Sequence, residues 1–268
     1  WRPLGADAVT VLDEAASQVS IQVTLPVPGQ SVRIAAQEVF SASERRAWRR
    51  DYAARTDFEL FEIGRSVQGR PIEALRRPAA RPEAPVIIIL GGQHPPEVPG
   101  VLGQRAFLDA LARLEQRETG ALDGSHWLVI PALNPDGVDA GHWRLNAGLV
   151  DLNRDWGPFT QPETAAANAA IEAALAQSGP PLILLDFHAT WRDVLYVPEG
   201  ADPLVQRLID ALEASLPEGM DSFDVSPGHN PGRPTAKTWF HETYGAPGVT
   251  VEFCDDNERE RVRAPAEG

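Results

Sequence analysis

From residue 86 onward, the chain alternates short apolar segments with longer segments of helical spacing. The segment 86–90 contains only aliphatic residues, which is typical of a strand buried on both faces of a sheet. Alternation of such strands with helices favours an α/β fold, because each crossover helix covers part of one sheet face. The pattern predicts an open, twisted, mixed but largely parallel sheet with helices on both faces.

The other predicted elements follow from the same periodicities. Continuous or alternating apolar runs predict strands, and apolar spacings of three and four residues predict helices. The predicted strands are 58–64, 72–75, 86–90, 126–131, 182–187 and 248–253, and the predicted helices are 43–48, 100–118, 163–176 and 202–216. In sheets of this kind ligands bind beyond the carboxyl ends of the strands, so the residues after each strand are candidates for a site.

The first 37 residues carry a different pattern. Alternation over residues 19–25 predicts a half-buried strand, which ends at two prolines and Gly29. We therefore expect residues 1–37 to form an N-terminal extension with one or two strands. Residues 38–268 are expected to form the main domain.

The acidic composition narrows the possible partners. The formal net charge of −14 over 268 residues repels nucleic-acid phosphates and anionic lipid headgroups, so we expect no nucleic-acid partner and no membrane association. No run of about 18 apolar residues is present to span a bilayer. Cys254 is the single cysteine, which excludes an intrachain disulfide but leaves both cytoplasm and periplasm open. The oligomeric state is also left open.

A histidine and a glutamate follow the 86–90 strand, three residues apart, at His94 and Glu97. An imidazole nitrogen and a carboxylate oxygen are both ligands of Zn²⁺, and a turn after a strand can direct both at one point. Taken alone, the pair is a weak signal, and a polar pair in a surface loop is the alternative interpretation.

A second histidine occupies the corresponding place at the end of the 182–187 strand. His188 is expected at the same end of the sheet as His94, because the two strands are predicted to be parallel. Two histidines and a glutamate match catalytic zinc sites, which keep a fourth position open. The alternative is a strand-end histidine that is simply hydrogen-bonded.

Glu252 lies among apolar residues of the 248–253 strand. A carboxylate buried without a partner is costly, so a glutamate here either faces solvent from an edge strand or has a function. Beside a zinc site, its function would be that of a general base towards water.

The segment 143–156 concentrates two arginines, two asparagines and two aspartates. Arginine binds carboxylates through paired hydrogen bonds. The segment is therefore interpreted as an anion-binding one, with a solvated polar loop as the alternative.

Taken together and in this order, these residues resemble the zinc metallocarboxypeptidases of the carboxypeptidase A superfamily, and most of all their bacterial and cytosolic-type branch. The resemblance covers roughly residues 58 to 253. Its motifs are Ile63-Gly64-x-Ser66-x-x-Gly69-Arg70, His94-x-x-Glu97, Asn134-Pro135-Asp136-Gly137, Arg144-x-Asn146, Asp151-Leu152-Asn153-Arg154-x-Trp156, His188 and Thr250-x-Glu252. It implies a carboxypeptidase-like sheet and hydrolysis of the C-terminal amide bond of a peptide or cell-wall peptide with a free carboxylate.

The resemblance also implies a role for individual residues. His94, Glu97 and His188 would hold one Zn²⁺ per chain. Glu252 would act as general base and then as general acid, and Arg144 would stabilise the oxyanion of the tetrahedral intermediate.

Further implied roles concern substrate binding and ligand orientation. Asn153 and Arg154 would bind the free α-carboxylate of the substrate, which enforces cleavage at the C-terminus. Asp151 would orient the His94 ring. Residues 38–268 would be the catalytic domain, with a C-terminal helix that begins near residues 255–259 and is cut short.

The family pattern also suggests a specificity residue. In the family, a residue at a fixed distance before the catalytic glutamate lies at the base of the pocket for the C-terminal side chain of the substrate. Counted back from Glu252 without gaps, this residue is Lys237. A cation there would attract an acidic C-terminal residue such as Glu, Asp or diaminopimelate. The alternative is a Lys237 side chain that points outward. The loop 226–232 lacks the mobile tyrosine that the family usually has there, and His229 could take its place.

Other functions stay open on the sequence. A murein-peptide amidase would cleave a γ-D-glutamyl-diaminopimelate bond and would also present an extra carboxylate. A deacylase of N-acyl amino acids would keep the fold and site, but its relatives lack the full Asp-Leu-Asn-Arg pattern seen here. An inactive binding module is disfavoured because Glu252 accompanies all three metal ligands.

Overall fold

In a computed structural model, the chain divides into the units Trp1–Val39 and Phe40–Gly268. The first unit contains an antiparallel pair of strands, β1 (Val9–Asp13) and β2 (Gln18–Ile21). Every residue of β2 is exposed, so the half-burial predicted for this strand is wrong for residues 19–21. Residues 24–25 of that predicted strand lie outside the described residues. The structure describes residues 8–13, 18–23, 29, 31, 34–35, 37–200, 202–216, 222–256 and 262.

The second unit is built on an eight-stranded sheet. Its strands are β3 (Glu59–Arg65), β4 (Pro71–Arg77), β5 (Val86–Gly91), β6 (His126–Ile130), β7 (Pro181–Thr190), β8 (Val194–Val197), β9 (Asp224–Pro227) and β10 (Gly248–Cys254). Its helices are α1 (Ala42–Ala54), α2 (Val98–Arg117), α3 (Pro135–Ala140), α4 (Pro162–Leu175), α5 (Pro203–Ser215) and α6 (Ala236–Tyr244), with a 3-10 turn at Leu152–Arg154.

The strand order is β3-β4-β6-β5-β7-β10-β8-β9, and the four central strands β6, β5, β7 and β10 run parallel. Alternate residues of β5 point to opposite faces. Ile89 packs in a core with α1, α2 and α5, whereas Ile88 and Leu90 pack in a second core with α4 and α6. The predicted α/β fold, a mixed and largely parallel sheet with helices on both faces, is therefore confirmed.

The differences from the predicted elements lie in short segments and at one helix end. Strands β8 and β9 have four residues each, which is too short for an apolar period to be recognised. Helix α1 is capped by Ser41 rather than Ser43. The Ser41 hydroxyl accepts from the backbone N–H of Glu44, and the Glu44 carboxylate accepts from the Ser41 N–H at 2.8 Å, as in a capping box.

Two further observations concern the C-terminus and the membrane. Residues 257–259 of the predicted last helix lie outside the described residues, and Asp255 and Asp256 form a turn. Within the described ranges, none of the helices combines the length and the apolar character that a bilayer span requires.

Candidate metal centre

The ends of three neighbouring parallel strands bring the predicted site residues together. His188 lies near the end of β7, and Glu252 of β10 is its direct neighbour across the strand pair. On the other side of β7, β5 ends at Gly91 opposite Phe187 and leads into the turn that carries His94. Because parallel strands place their carboxyl ends at one edge of the sheet, residues far apart in the chain meet here.

His94, Glu97 and His188 converge on one point. The Glu97 carboxylate lies between the two rings, with its Oε1 2.7 Å from His94 Nδ1 and its Oε2 2.7 Å from His188 Nδ1. One donor atom from each residue lies within 4.8 Å of the others. Two imidazole nitrogens and a carboxylate oxygen at this spacing form a donor set that suits a divalent metal such as Zn²⁺.

Two further carboxylates contact the other nitrogen of each ring. Asp151 Oδ1 lies 2.9 Å from His94 Nε2, and Asp186 Oδ2 lies 2.9 Å from His188 Nε2. An ionised carboxylate only accepts hydrogen bonds, so each Nε2 donates to its aspartate. Each Nδ1 faces Glu97 and would give up its proton to bind a metal. Carboxylate–histidine pairs of this kind fix the tautomer of metal-binding histidines, and the residues therefore fit the metal.

Two glycines allow the ligand loop to approach the sheet. Gly92 has a φ of +67°, which a residue without a Cβ adopts without strain. Helix α2 begins directly after Glu97 and packs against β7 at Gly100, where a Cβ would lie 2.4 Å from the His188 carbonyl oxygen. The absence of that Cβ lets the first turn of α2, and with it Glu97, lie close to His188.

Charges in the metal-free site are strongly coupled. Burial alone would raise the pKa of Glu97, but the two imidazoles outweigh it and lower the pKa to about 2. Burial alone would lower the pKa of His188, but Asp186 and Glu97 raise it well above its usual value. Protons on the imidazoles thus compensate the carboxylates, and a divalent cation would supply this positive charge in their place.

Glu252 has a different environment from Glu97. Its Oε2 is buried and has no hydrogen-bond partner among the described residues. Burial, with the nearby negative charges of Glu97 and Asp186, raises the pKa of Glu252 to about 7 despite the opposing charge of His188. In the metal-free protein, a carboxylate with this pKa takes up and releases a proton near neutral pH.

Asp151 links three of the predicted site residues. Besides the His94 ring, it accepts a hydrogen bond from the Arg144 guanidinium Nε at 2.7 Å and one from the Asn153 backbone N–H at 2.9 Å. The second contact caps the 3-10 turn at residues 152–154. Burial opposes the ionisation of Asp151, but His94 and Arg144 outweigh it and hold its pKa below the usual range. Arg144 is thereby held next to the candidate metal ligand His94.

The predicted substrate-binding residues form a second group at the start of α6. The Asn153 side-chain oxygen accepts from the Ala236 N–H at 2.9 Å, and the next residue, Lys237, donates from Nζ to the His229 carbonyl oxygen at 2.7 Å. Lys237 is only 6% exposed, so the alternative that it points outward is wrong. Burial, followed by the charges of Lys237 and Arg154, lowers the pKa of His229, which indicates that these basic groups lie near one another.

Asp186 is a site residue that sequence reasoning missed. It is fully buried in β7, two positions before His188 and therefore on the same face of the strand. Its side chain also accepts from the Gln93 amide at 2.8 Å. The sequence did contain a signal for this role, because Asp186 is an aspartate in a mainly apolar strand, two residues before a predicted metal ligand.

We expect Asp186→Asn to weaken zinc binding by about 10–100-fold, because such partners set the basicity and orientation of a ligating imidazole. Competition with a fluorescent chelator measures the affinity. Asp210→Asn, on the exposed side of α5, is the matched control and should bind zinc like the unchanged protein. Equal affinities for both variants would contradict the orienting role of Asp186.

Comparison with known proteins relates this site and fold to one family. The sequence pattern of the zinc carboxypeptidase family matches residues 46–200. The chain is 32% identical over 111 residues to mouse cytosolic carboxypeptidase 6, a match that covers 38% of this chain and 20% of that protein. The chain therefore spans about a fifth of the length of this curated relative.

Solved structures share the fold. A metallo-carboxypeptidase from Burkholderia cenocepacia superposes with a TM-score of 0.71 at 20% identity, over 87% of this chain and 68% of the other. A metallo-carboxypeptidase from Pseudomonas aeruginosa, in complex with (2-guanidinoethylmercapto)succinic acid, superposes with a TM-score of 0.69 at 22% identity and the same coverage. The predicted carboxypeptidase-like fold and the family resemblance are both confirmed. The family match extends over more than half of the chain and includes all three candidate metal ligands, and the chain therefore belongs to the zinc carboxypeptidase family.

Proposed function

We propose that the chain is a zinc-dependent carboxypeptidase that hydrolyses the C-terminal amide bond of peptides, with Zn²⁺ held by His94, Glu97 and His188. The observation that supports this most directly is the Glu252 carboxylate beside the metal-binding group, whose Oε2 is buried without a hydrogen-bond partner among the described residues. Among the described residues, no fourth His, Cys, Asp or Glu joins that group. Catalytic zinc sites keep a position open in this way, whereas structural sites close it with a fourth protein ligand.

The chemistry divides between the metal and the protein. When bound, Zn²⁺ supplies Lewis acidity towards the scissile carbonyl and lowers the pKa of water. Glu252 accepts the proton of the attacking water and then delivers it to the nitrogen of the leaving amine. The Arg144 guanidinium, held by Asp151, donates to the developing oxyanion; one such donor contributes about 2.7–4 kcal/mol.

Cleavage at the C-terminus would follow from the hydrogen-bond donors beside this centre. Arg154 and Asn153 are proposed to bind the α-carboxylate of the substrate, which leaves the last amide bond at the metal. The succinic acid compound in complex with the Pseudomonas enzyme carries two carboxylates. That chemistry is compatible with a carboxylate-binding site of this kind in the present chain.

Lys237 is proposed to select an acidic C-terminal side chain. It is the single lysine of the chain, all other side chains of permanent positive charge being arginines. It is buried, burial lowers its pKa, and its Nζ makes no ion pair with a carboxylate among the described residues. A buried ammonium group without a counter-ion favours a ligand that brings one.

We expect Lys237→Met to lower the ratio of kcat/KM for a C-terminal Glu over a C-terminal Leu by at least about 10-fold, because losing one partner of a buried charge pair costs about 2–5 kcal/mol. Cleavage of blocked dipeptides that end in Glu, Leu, Phe or Lys measures this ratio. Arg207→Met, exposed on α5, is the control. If the unchanged enzyme cleaved C-terminal Glu and Leu with nearly equal kcat/KM, the proposed preference for an acidic C-terminal residue would be wrong.

The single lysine also permits a binding measurement without turnover. Lysine labelled with ¹³C at the ε-carbon gives one side-chain signal, from Lys237, and we expect this signal to shift when a glutamate-ended inhibitor binds.

Murein tripeptide belongs in the same substrate panel as the blocked dipeptides, because the extra carboxylate of diaminopimelate would suit the same cation. Cleavage of the murein peptide alone would favour the amidase, cleavage of N-acyl amino acids alone would favour the deacylase, and bound zinc without any turnover would favour a binding module.

A further inference from the structure

A chain of buried side chains connects the core that packs against α6 with the candidate metal ligand His188. The Trp156 indole Nε1 donates to Gln93 Oε1 at 2.9 Å, and Gln93 Nε2 donates to Asp186 Oδ2 at 2.8 Å. The same oxygen of Asp186 lies 2.9 Å from His188 Nε2. All four side chains are buried, and a buried polar group that loses its partner is costly.

The first donor sets the direction of the hydrogen bonds that follow. An indole N–H can only donate, whereas a glutamine side chain has a donor end and an acceptor end. Trp156 therefore requires the acceptor end of Gln93, and the donor end is left to face Asp186. The Asp186 oxygen that accepts from Gln93 is also the one that accepts from His188 Nε2. The other ring nitrogen, Nδ1, then faces Glu97.

Both ends of the Gln93 amide are held by fixed groups. The Trp156 ring packs against Phe159 and Trp239, with ring centroids 6.1 Å and 5.1 Å away. The main chain of Gln93 is fixed as well, because its carbonyl oxygen accepts from the Asn134 side-chain amide at 3.0 Å. The amide of Gln93 therefore cannot turn over without breaking a buried hydrogen bond at each end.

Gln93 makes no direct hydrogen bond to the His188 ring. Gln93 Nε2 lies 3.4 Å from His188 Nε2, but both nitrogens are donors when His188 donates to Asp186. Asp186 Oδ1 is buried and has no hydrogen-bond partner among the described residues. Within that part of the chain, the Asp186 carboxylate is thus held by Gln93 and His188 alone. Any effect of Gln93 on His188 has to pass through Asp186.

We propose that Gln93 is a positioning residue of the metal centre, fixed in direction by Trp156, which holds Asp186 so that His188 presents Nδ1 to the metal. Residues that orient a ligating imidazole in this way affect the affinity for the metal. The inference rests on the zinc site of the proposed function, but it does not depend on the substrate, because it concerns zinc binding alone.

Zinc affinity, measured by competition with a fluorescent chelator, tests the proposal. Gln93→Met nearly keeps the shape of the side chain but removes both hydrogen bonds, and we expect it to weaken zinc binding by about 5–10-fold. The matched control is Gln206→Met on α5, where an exposed glutamine donates to Asp210, also at 2.8 Å. This control should bind zinc like the unchanged protein, and equal affinities for the two variants would overturn the proposal.

A double-mutant cycle separates positioning through Asp186 from a general packing defect. In an Asp186→Ala background, Gln93→Met should weaken zinc binding by less than about twofold, because residues that act through one another have non-additive effects. Independent losses that multiply would overturn the proposal. Zinc binding without peptide hydrolysis would contradict only the proposed function, whereas a protein that bound no zinc would contradict the metal centre itself.

A spectroscopic measurement keeps the test independent of the folding of Asp186→Ala. In the zinc-loaded protein with ¹⁵N-labelled histidine, the proton on His188 Nε2 reports its hydrogen bond to Asp186. We expect its NMR signal to shift in Gln93→Met and in Trp156→Phe, which removes the indole donor. Trp239→Phe, a change in the same aromatic cluster, should leave the signal in place. An unchanged signal in both Gln93→Met and Trp156→Phe would overturn the proposal.

Discussion

Replacement of Glu252 by glutamine should lower kcat for peptide hydrolysis by about 10²–10⁴-fold, the usual contribution of general acid–base catalysis. Glutamine has nearly the same shape but cannot take a proton from water. Zinc content should stay at one per chain, because Glu252 is the neighbour of His188 on β10 and is not a member of the group that converges on the metal. Loss of turnover with unchanged zinc content would show that Glu252 acts as a base and not as a metal ligand.

Steady-state kinetics with a blocked dipeptide, together with metal analysis of the same sample, measure both quantities. Glu242→Gln, exposed on α6, is the matched control and should keep full activity. A Glu252→Gln enzyme that retains more than about a tenth of the original kcat would contradict the role of Glu252 as the base.

The same substitution should stabilise the metal-free protein at alkaline pH. Burial raises the pKa of Glu252 from 4.5 to about 7, so the native state holds this proton over a range in which the unfolded chain has lost it. The unchanged metal-free protein therefore loses stability as the pH rises from about 4.5 to 7, by about 3 kcal/mol at 1.36 kcal/mol per pKa unit. Glutamine removes this loss. Urea unfolding should thus show the variant to be more stable than the unchanged protein at pH about 8, with the difference vanishing near pH 4.

Removal of the His188 imidazole should abolish tight zinc binding and activity together. In His188→Ala the metal would lose one of its three proposed ligands, and the loss of affinity should exceed the 10–100-fold effect expected for an orienting residue such as Asp186. The substitution also leaves Asp186 and one oxygen of Glu97 without the ring that lies between them. We therefore expect the metal-free variant to be less stable as well, since buried carboxylates lose a compensating partner.

Zinc affinity by chelator competition and unfolding of the metal-free variant check this expectation. The control is His241→Ala, because His241 is exposed on α6 and contacts only the Ala246 carbonyl oxygen among its described partners. Zinc affinity within threefold of the unchanged protein would exclude His188 as a ligand.

Much of the fold could be predicted because its central strands have an unambiguous pattern. Strand β5 and residues 182–185 of β7 are continuous apolar runs, which need burial on both faces and therefore a sheet covered by helices on both sides. The edges of the sheet were harder to predict. Strands β8 and β9 are only four residues long, and α3 and α6 are short helices whose formation depends on caps and on packing against the sheet.

Some residues of the candidate site could likewise be predicted from the sequence, and others could not. His94, Glu97, His188 and Glu252 were recognisable because each stands at or after the end of a predicted strand, where ligands bind in sheets of this kind. Asp186 was missed because an aspartate in a strand does not identify its partner, although its place on the same strand face as His188 was an available signal. Its role became visible only when its oxygen was found 2.9 Å from His188 Nε2.

The sequence alone determined the fold class, the residue types that suit a metal and their order along the chain, because these depend on local periodicity and on the chemistry of single side chains. The tertiary structure decided which nitrogen of each histidine faces Glu97 and that Lys237 is buried. The reason is that the burial of a side chain and its distance from a partner depend on segments far apart in the chain. A local sequence pattern does not indicate which of these segments will be in contact.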